Sequence, residues 1–332
     1  MSERYDAILD AGDGPASMWR SRWDSLTLFT PVRYNGLPGL SFPGDPDHLP
    51  TRDEVVAYLT GYAGHFALPV EYGSRATELA PIENAYRVRA GDRELHAGQV
   101  VVATGPFQVP RIPAMADGLS DEVVQLHSAA YRAPDDVPEG TVLVVGGGNT
   151  GYQIAEELST TRDVHLAIGS RQQPLPESLF GRSVFWYLTK LGLMRATAES
   201  RVGSRLRRRD TLVGYGPRAA RRAGVAVQAR ATSAAGSTIG FADGAELQVD
   251  AVVWATGFGR DDDWIDVPVF DDQGVVHRRG VTPSPGLYFL GLAWQHTRAS
   301  ALLGGVRHDA VYVAEHVAAR AAATQPYALA GS

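Results

Sequence analysis

The chain contains no cysteine, which excludes disulfides, thiolate metal sites and a cysteine nucleophile. It has no excess of basic charge either. Lys and Arg number 31 against 37 Asp and Glu, for a formal net charge of −6. A dedicated nucleic-acid surface, which needs a basic face, is therefore not expected. No apolar run approaches the about 18 residues of a membrane span. The opening MSERYDAILD lacks the basic start and apolar stretch of a secretory signal. The nine histidines are scattered without ligand spacing, so no metal site is expected. No Gly-x-Ser-x-Gly elbow or triad spacing appears. What remains is an ordinary globular composition, 44% hydrophobic and 20% charged over 332 residues, enough for about two domains. The expectation is a cytoplasmic protein acting on a small molecule, with no nucleic-acid or membrane partner.

Strand and helix patterns alternate, which predicts an α/β fold with parallel sheet. Strands are expected at Tyr5–Leu9, Tyr86–Arg89, Glu94–His96 and Val100–Ala103. Further on, they are expected at Val142–Val145, Val164–Ile168, Val225–Ala229, Thr238–Phe241, Glu246–Val249, Ala251–Ala255 and Gly286–Leu290. Helices are expected at Thr51–Phe66, Thr150–Ser159, Pro176–Leu193 and Ala301–Arg320. Thr51 followed by Glu54 has capping-box spacing. Pro106–Pro113 holds three prolines and reads as a crossover between domains. Val-Val-Ala-Thr-Gly at 101–105 is echoed by Val-Trp-Ala-Thr-Gly at 253–257.

The sharpest motif is Val142-Leu-Val-Val-Gly146-Gly147-Gly148-Asn149-Thr150-Gly151. It follows an apolar strand and opens a helix, the context that gives a G-x-G-x-x-G pattern its meaning. Gly146 permits the tight turn, Gly148 lets backbone approach a pyrophosphate, and Gly151 allows helix to pack on strand. The helix N-terminus offers free N–H groups and a positive dipole end to phosphate. A tight turn without ligand is the alternative. The next strand runs into Gly169-Ser170-Arg171 with no acid for a ribose. A hydroxyl and a guanidinium suit a 2′-phosphate, so NADP(H) is expected over NAD. Arg171 also fits a solvated surface position. The basic run 205–209 reads as a solvated face or as a steering patch.

Beyond this motif the chain resembles the flavin-containing monooxygenases and their bacterial relatives. The matching residues are Trp19-Arg20, Arg22-Trp23-Asp24-Ser25-Leu26, Leu28-Phe29-Thr30-Pro31 and Leu37-Pro38-Gly39. To these are added Ala103-Thr104-Gly105, His127-Ser128 with Tyr131, the 146–151 loop, Ala255-Thr256-Gly257, Gly291 and Leu302-Leu303-Gly304-Gly305. The resemblance implies two Rossmann-like dinucleotide-binding domains. The FAD-type domain would comprise 1–107 plus 281–332, and the NADPH domain 108–280 would be inserted into it. It also implies an FAD-bound chemistry in which the flavin takes hydride from NADPH and reacts with oxygen. Thr256 and Gly257 join Gly146, Gly148, Asn149, Thr150, Gly151, Ser170 and Arg171 as cofactor-binding candidates.

The family opens with a strand, glycine loop, helix and second strand, a unit of about 30 residues. Here Ser2–Ile8 resembles the start of the first strand and Leu9–Pro15 the end of the second, with nothing between them. Ala16-Ser17-Met18-Trp19 stands where the family has a Gly-Gly pair before the tryptophan. Tight FAD binding is therefore not expected. The leading expectation is an NADPH-dependent reductase passing hydride directly to a small carbonyl or imine. The alternatives are an FAD- and NADPH-dependent monooxygenase and a non-catalytic NADPH-binding relic. Tyr131, His127 and His296 are the candidate proton donors, set against a hydrogen-bonded hinge for the first two and a capping loop for the third. A sheet face stripped of its helix predicts a homodimer.

Overall fold

The computed structural model describes residues 7–170, 172, 174–207 and 212–324. Its centre is a five-stranded sheet, all parallel, in the order Ala226–Gln228, Asp163–Ala167, Thr141–Val145, Ala251–Trp254, Val124–His127. Parallel strands covered on both faces need apolar residues at every position, and Val142, Leu143 and Val144 are all fully buried. Alternate residues serve opposite cores. Val142, Val144, Val164, Leu166, Ala251 and Val253 join Tyr152, Ile154, Ala155 and Leu158 of the helix Asn149–Leu158. Leu143, Ala167, Val252 and Trp254 join Ile239 and Phe241 of an antiparallel sheet formed by Ala231–Ala235, Thr238–Phe241 and Glu246–Gln248. The resulting α/β architecture is the expected one.

The remaining strands form smaller units. Ile8–Leu9 pairs in parallel with Val70–Glu71, and Val100–Val102 pairs in parallel with Leu287–Phe289. No ladder joins these two pairs among the described residues. Leu9 nevertheless packs into the cluster that holds Val102, Leu287 and Phe289. An antiparallel sheet of Ala76–Ile82, Ala85–Ala90 and Arg93–Ala97 supplies Leu79, Tyr86 and Val88 to the same core.

Packing also links segments on either side of the expected boundaries. Ile265, Val267 and Val269 belong to the outer core with Leu79 and Leu287, although they precede residue 281. Trp23, Leu26, Val32, Phe42, Val55 and Tyr58 share a cluster with Val142 and Tyr152. The early segment thus packs against the unit built on the five-stranded parallel sheet.

Three local expectations are corrected. The helix expected over Pro176–Leu193 is only Val184–Lys190. Before it, Phe180 and Gly181 take positive φ and the chain reverses between Ser178–Leu179 and Arg182–Ser183. The final helix is Arg307–Thr324 rather than one beginning at 301. A Cβ at Gly304 would stand 1.9 Å from the Tyr34 carbonyl oxygen, so the chain there is shaped by close contact with another segment. The strand expected at Val100–Ala103 is Val100–Val102 and not wholly buried, since Val101 is 42% exposed.

The capping box at the helix Arg52–His65 is present. The Glu54 N–H donates to Thr51 Oγ1 at 3.3 Å, and the Thr51 N–H donates to Glu54 Oε2 at 2.8 Å. Removing such a cap costs about 1 kcal/mol. Thr51→Ala is expected to lower stability by that amount in urea unfolding, without altering nucleotide binding.

Candidate dinucleotide site

The strand Thr141–Val145 enters the turn at Gly146, whose φ is 135°. A Cβ at Gly146 would lie 2.1 Å from the Ala255 carbonyl oxygen, and one at Gly151 would lie 1.9 Å from the Gly146 carbonyl oxygen. Only glycine lets helix and strand approach this closely. Gly148 differs: its φ is −83°, and a Cβ there would meet nothing within 4 Å. It is the N-cap of Asn149–Leu158, where no side chain caps the helix and the first turn holds no acid. The terminal N–H groups and the positive dipole end therefore face open space. The Asn149 Oδ1 is buried without a hydrogen-bond partner among the described residues, a group that a ligand donor would satisfy. These residues fit a dinucleotide pyrophosphate.

Gln172 joins this site and was not anticipated. Its amide N–H donates to the Gly147 carbonyl, and its carbonyl accepts from the Tyr152 hydroxyl. The only signal in the chain was its place just past Ser170-Arg171. Ser170 lies exposed beyond the strand Asp163–Ala167. Arg171 lies outside the described residues.

Thr256 and Gly257 tie two crossings of the chain together. The Thr256 hydroxyl donates to the Arg111 carbonyl, and the Arg111 N–H donates to the Gly257 carbonyl at 3.0 Å. Phe258–Gly259 pairs antiparallel with Val109–Pro110. Gln108 closes the other side. It donates to Thr104 Oγ1 at 2.8 Å and to the Gly105 carbonyl at 2.7 Å, and accepts from the Asp261 N–H at 2.8 Å. The two Ala-Thr-Gly segments are thereby zipped together.

His127, at the end of its strand, belongs to the same junction. Its Nε2–H donates to the Gly257 carbonyl at 3.0 Å, while Nδ1 accepts the Ala129 N–H at 3.1 Å. Both ring nitrogens are occupied and the ring is 6% exposed. Burial holds its pKa below the usual histidine value, and the Arg22 charge lowers it further against the Gly257 carbonyl. Tyr131 is fully buried, with its hydroxyl donating to Glu157 Oε2 at 2.7 Å. Burial and Glu157 push its pKa up. As placed, the donating hydrogens of both side chains are held by acceptors within the protein. His296 is half-buried, its carbonyl accepts the Ala198 N–H at 2.8 Å, and its ring has no hydrogen-bond partner among the described residues.

The N-terminal lobe offers FAD no comparable cradle among its described residues. Asp10 Oδ1 accepts the Gly12 N–H at 2.7 Å, and a Cβ at Gly12 would fall 1.9 Å from Ser17 Oγ. The segment is folded tightly on itself. The helix that follows, Ser17–Arg20, has four residues and begins after Ala16 in the left-handed region. One turn of helix gathers too small a dipole to hold a pyrophosphate. Among the described residues this segment presents no open helix N-terminus of the kind seen at Gly148.

A family model for pyridine nucleotide-disulphide oxidoreductases matches residues 30–178. A CzcO-like oxidoreductase of Geobacillus kaustophilus is 43% identical over 311 residues, 92% of this chain and 89% of that one. An oxidoreductase named CzcO, of Bacillus subtilis, is 38% identical over 320 residues, 95% and 93% of the two chains. Among solved structures, a flavin-containing monooxygenase from Stenotrophomonas maltophilia superposes with a TM-score of 0.78 at 29% identity, covering 95% of this chain and 91% of that one. Fold, turn and relatives define an oxidoreductase. The chain belongs to the flavin monooxygenase-like oxidoreductase family, beside the CzcO-like proteins. The matched structure is named for its flavin, so the comparisons lend no support to a flavin-free chain.

Three outcomes follow. Gly148→Ala is expected to leave the melting temperature unchanged while weakening NADPH binding, read by fluorescence titration, at least about tenfold, or ~1.4 kcal/mol. Gly151→Ala is expected to destabilise the fold by about 1–3 kcal/mol through overpacking. For His127, a folded pKa below the unfolded value of about 6.5 means that protons favour the unfolded chain. Stability is then full above that value and falls as pH drops through it. His127→Gln is expected to remove part of this acid sensitivity in melting curves between pH 7.5 and 5.5.

Proposed function

We propose that the chain is an NADPH-dependent reductase on a flavin-monooxygenase scaffold. Gly146, Gly148, Asn149, Thr150 and Gly151 hold the pyrophosphate, and Ser170 with Arg171 takes the 2′-phosphate. Bound there, NADPH supplies a hydride to a small carbonyl or imine. The observation that carries this reading is the contrast between two lobes: an open, uncapped helix N-terminus at Gly148 and a closed segment at Asp10–Ser17. His296 is the proposed proton donor to the substrate oxygen or nitrogen, because its ring alone among the three candidates is not tied into the protein. We further propose a homodimer. Ile8 and Val101, on the two parallel strand pairs, are 44% and 42% exposed, and a second copy would cover them.

The second reading is an FAD- and NADPH-dependent monooxygenase. Its support is the 29% identical flavin-containing structure. The absorption spectrum of the purified protein separates the two. The reductase reading expects no flavin bands, weak uptake on FAD titration, and NADPH oxidation with small ketones or imines under anaerobic conditions. Stoichiometric flavin, or turnover that requires oxygen, overturns it. Arg171→Ala is expected to weaken NADPH binding about tenfold while leaving NADH unchanged, since a charge-assisted bond is worth ~1.5–3 kcal/mol.

A further inference from the structure

Where the early segment crosses this junction, the Arg22 guanidinium lies 4.9 Å from the Phe107 ring centre and 5.1 Å from that of Phe258. The two rings meet edge to face at 5.3 Å, and the His127 ring meets Phe258 at 4.9 Å. Arg22 is half-buried. Among the described residues no carboxylate pairs with it and no protein acceptor takes a hydrogen bond from its guanidinium.

Its neighbours are treated differently. Arg20 pairs with Asp13, Arg52 with Asp24 and Asp53, and Arg132 with Asp24. Elsewhere Arg260 pairs with Asp262 and Arg279 with Asp309. Asp24 lies two residues from Arg22 and is engaged by two other arginines. Burial without an anion lowers the Arg22 pKa, and no charged neighbour offsets it. A cation partly withdrawn from water and left without an anion loses solvation that no counter-charge restores. Aromatic faces give partial compensation, but they accept none of the five N–H groups of the guanidinium fork. That fork matches a carboxylate in two parallel bonds.

The position is also fixed. The Arg22 N–H donates to the Trp19 carbonyl at 3.0 Å, and the Arg22 carbonyl accepts from Arg52 at 3.0 Å. Phe107 and Phe258 follow the two Ala-Thr-Gly segments within two residues, and Phe107 is 52% exposed, so the cluster opens to solvent. We propose that Arg22, flanked by Phe107 and Phe258, binds the carboxylate of the substrate, which makes the substrate class a carboxylate-bearing carbonyl compound. The substrate role rests on the reductase reading above; the anion site itself does not.

The test uses phenylpyruvate and phenylacetone, which share a benzyl ketone and differ by a carboxylate against a methyl group. Each is titrated calorimetrically into the full chain, with and without NADP+. The wild type is expected to bind phenylpyruvate at least tenfold more tightly, Arg22→Gln to erase that preference, and Arg22→Lys to retain part of it. NADP+ affinity is expected to be equal in all three. Equal affinity of the wild type for the two ketones, or no binding of either, overturns the proposal without recourse to a variant. A loss of NADP+ affinity in Arg22→Gln with the ketone preference intact also overturns it, and assigns Arg22 to a cofactor phosphate. A preserved carboxylate preference in a protein that neither binds NADPH nor turns it over removes the reductase reading and leaves the anion site standing.

Discussion

The contact on which the site depends is the approach of the helix Asn149–Leu158 to the strand before it, where a single methyl at Gly151 would stand 1.9 Å from the Gly146 carbonyl oxygen. Packing at that distance aims the helix axis along the turn. It also leaves the first backbone N–H groups pointing outward, unclaimed by any capping side chain. Ile154, Ala155 and Leu158 then lock the helix on the sheet. The same contact thus sets the fold of the central unit and creates an uncapped, open helix N-terminus at a glycine turn. A stability constraint and a binding feature are carried by the same few glycines, and Gly148 alone among them has room to spare.

Much of this was legible in the sequence because it is local. A strand, a glycine turn and a helix lie within eighteen residues, and the Thr51–Glu54 box is read across four. What was not legible depends on segments distant in the chain. Nothing near Thr256 announces that its hydroxyl will meet the Arg111 carbonyl, 145 residues away. Tyr131 and His127 looked chemical because of their type, and the fold spends both on Glu157 and Gly257. Gln172, which no motif marks, bridges Gly147 and Tyr152. The expected helix at 176–193 failed over its first half because two adjacent residues, Phe180 and Gly181, take positive φ, a choice periodicity does not record.

The junction gives these distant contacts a common purpose. Both Ala-Thr-Gly segments end in glycines with positive φ, 73° at Gly105 and 82° at Gly257, and each is followed within two residues by phenylalanine. His127, Arg111 and Gln108 bind the backbone of the two crossings together. His127 must stay neutral to accept from Ala129 while donating to Gly257, and Arg22 nearby favours that state. The aromatic cluster and its cation therefore rest on a junction whose geometry is fixed by backbone hydrogen bonds, with side-chain rotamers left to meet a ligand.

The outer lobe is held by a different kind of interaction from the glycine turn. Its two parallel strand pairs share no ladder, yet Leu9 packs with Val102, Leu287 and Phe289. Burial of apolar area, which is not directional, is enough to hold the pairs in one lobe. A phosphate cradle is directional: it needs several N–H groups aimed at one point, and a four-residue helix beginning at Ala16 supplies too few. An arrangement of that kind is more easily disrupted than a packed core, which tolerates change so long as apolar area stays buried. Exposed strand edges of the two pairs can bond to water at small cost, so the lobe holds together without a continuous ladder.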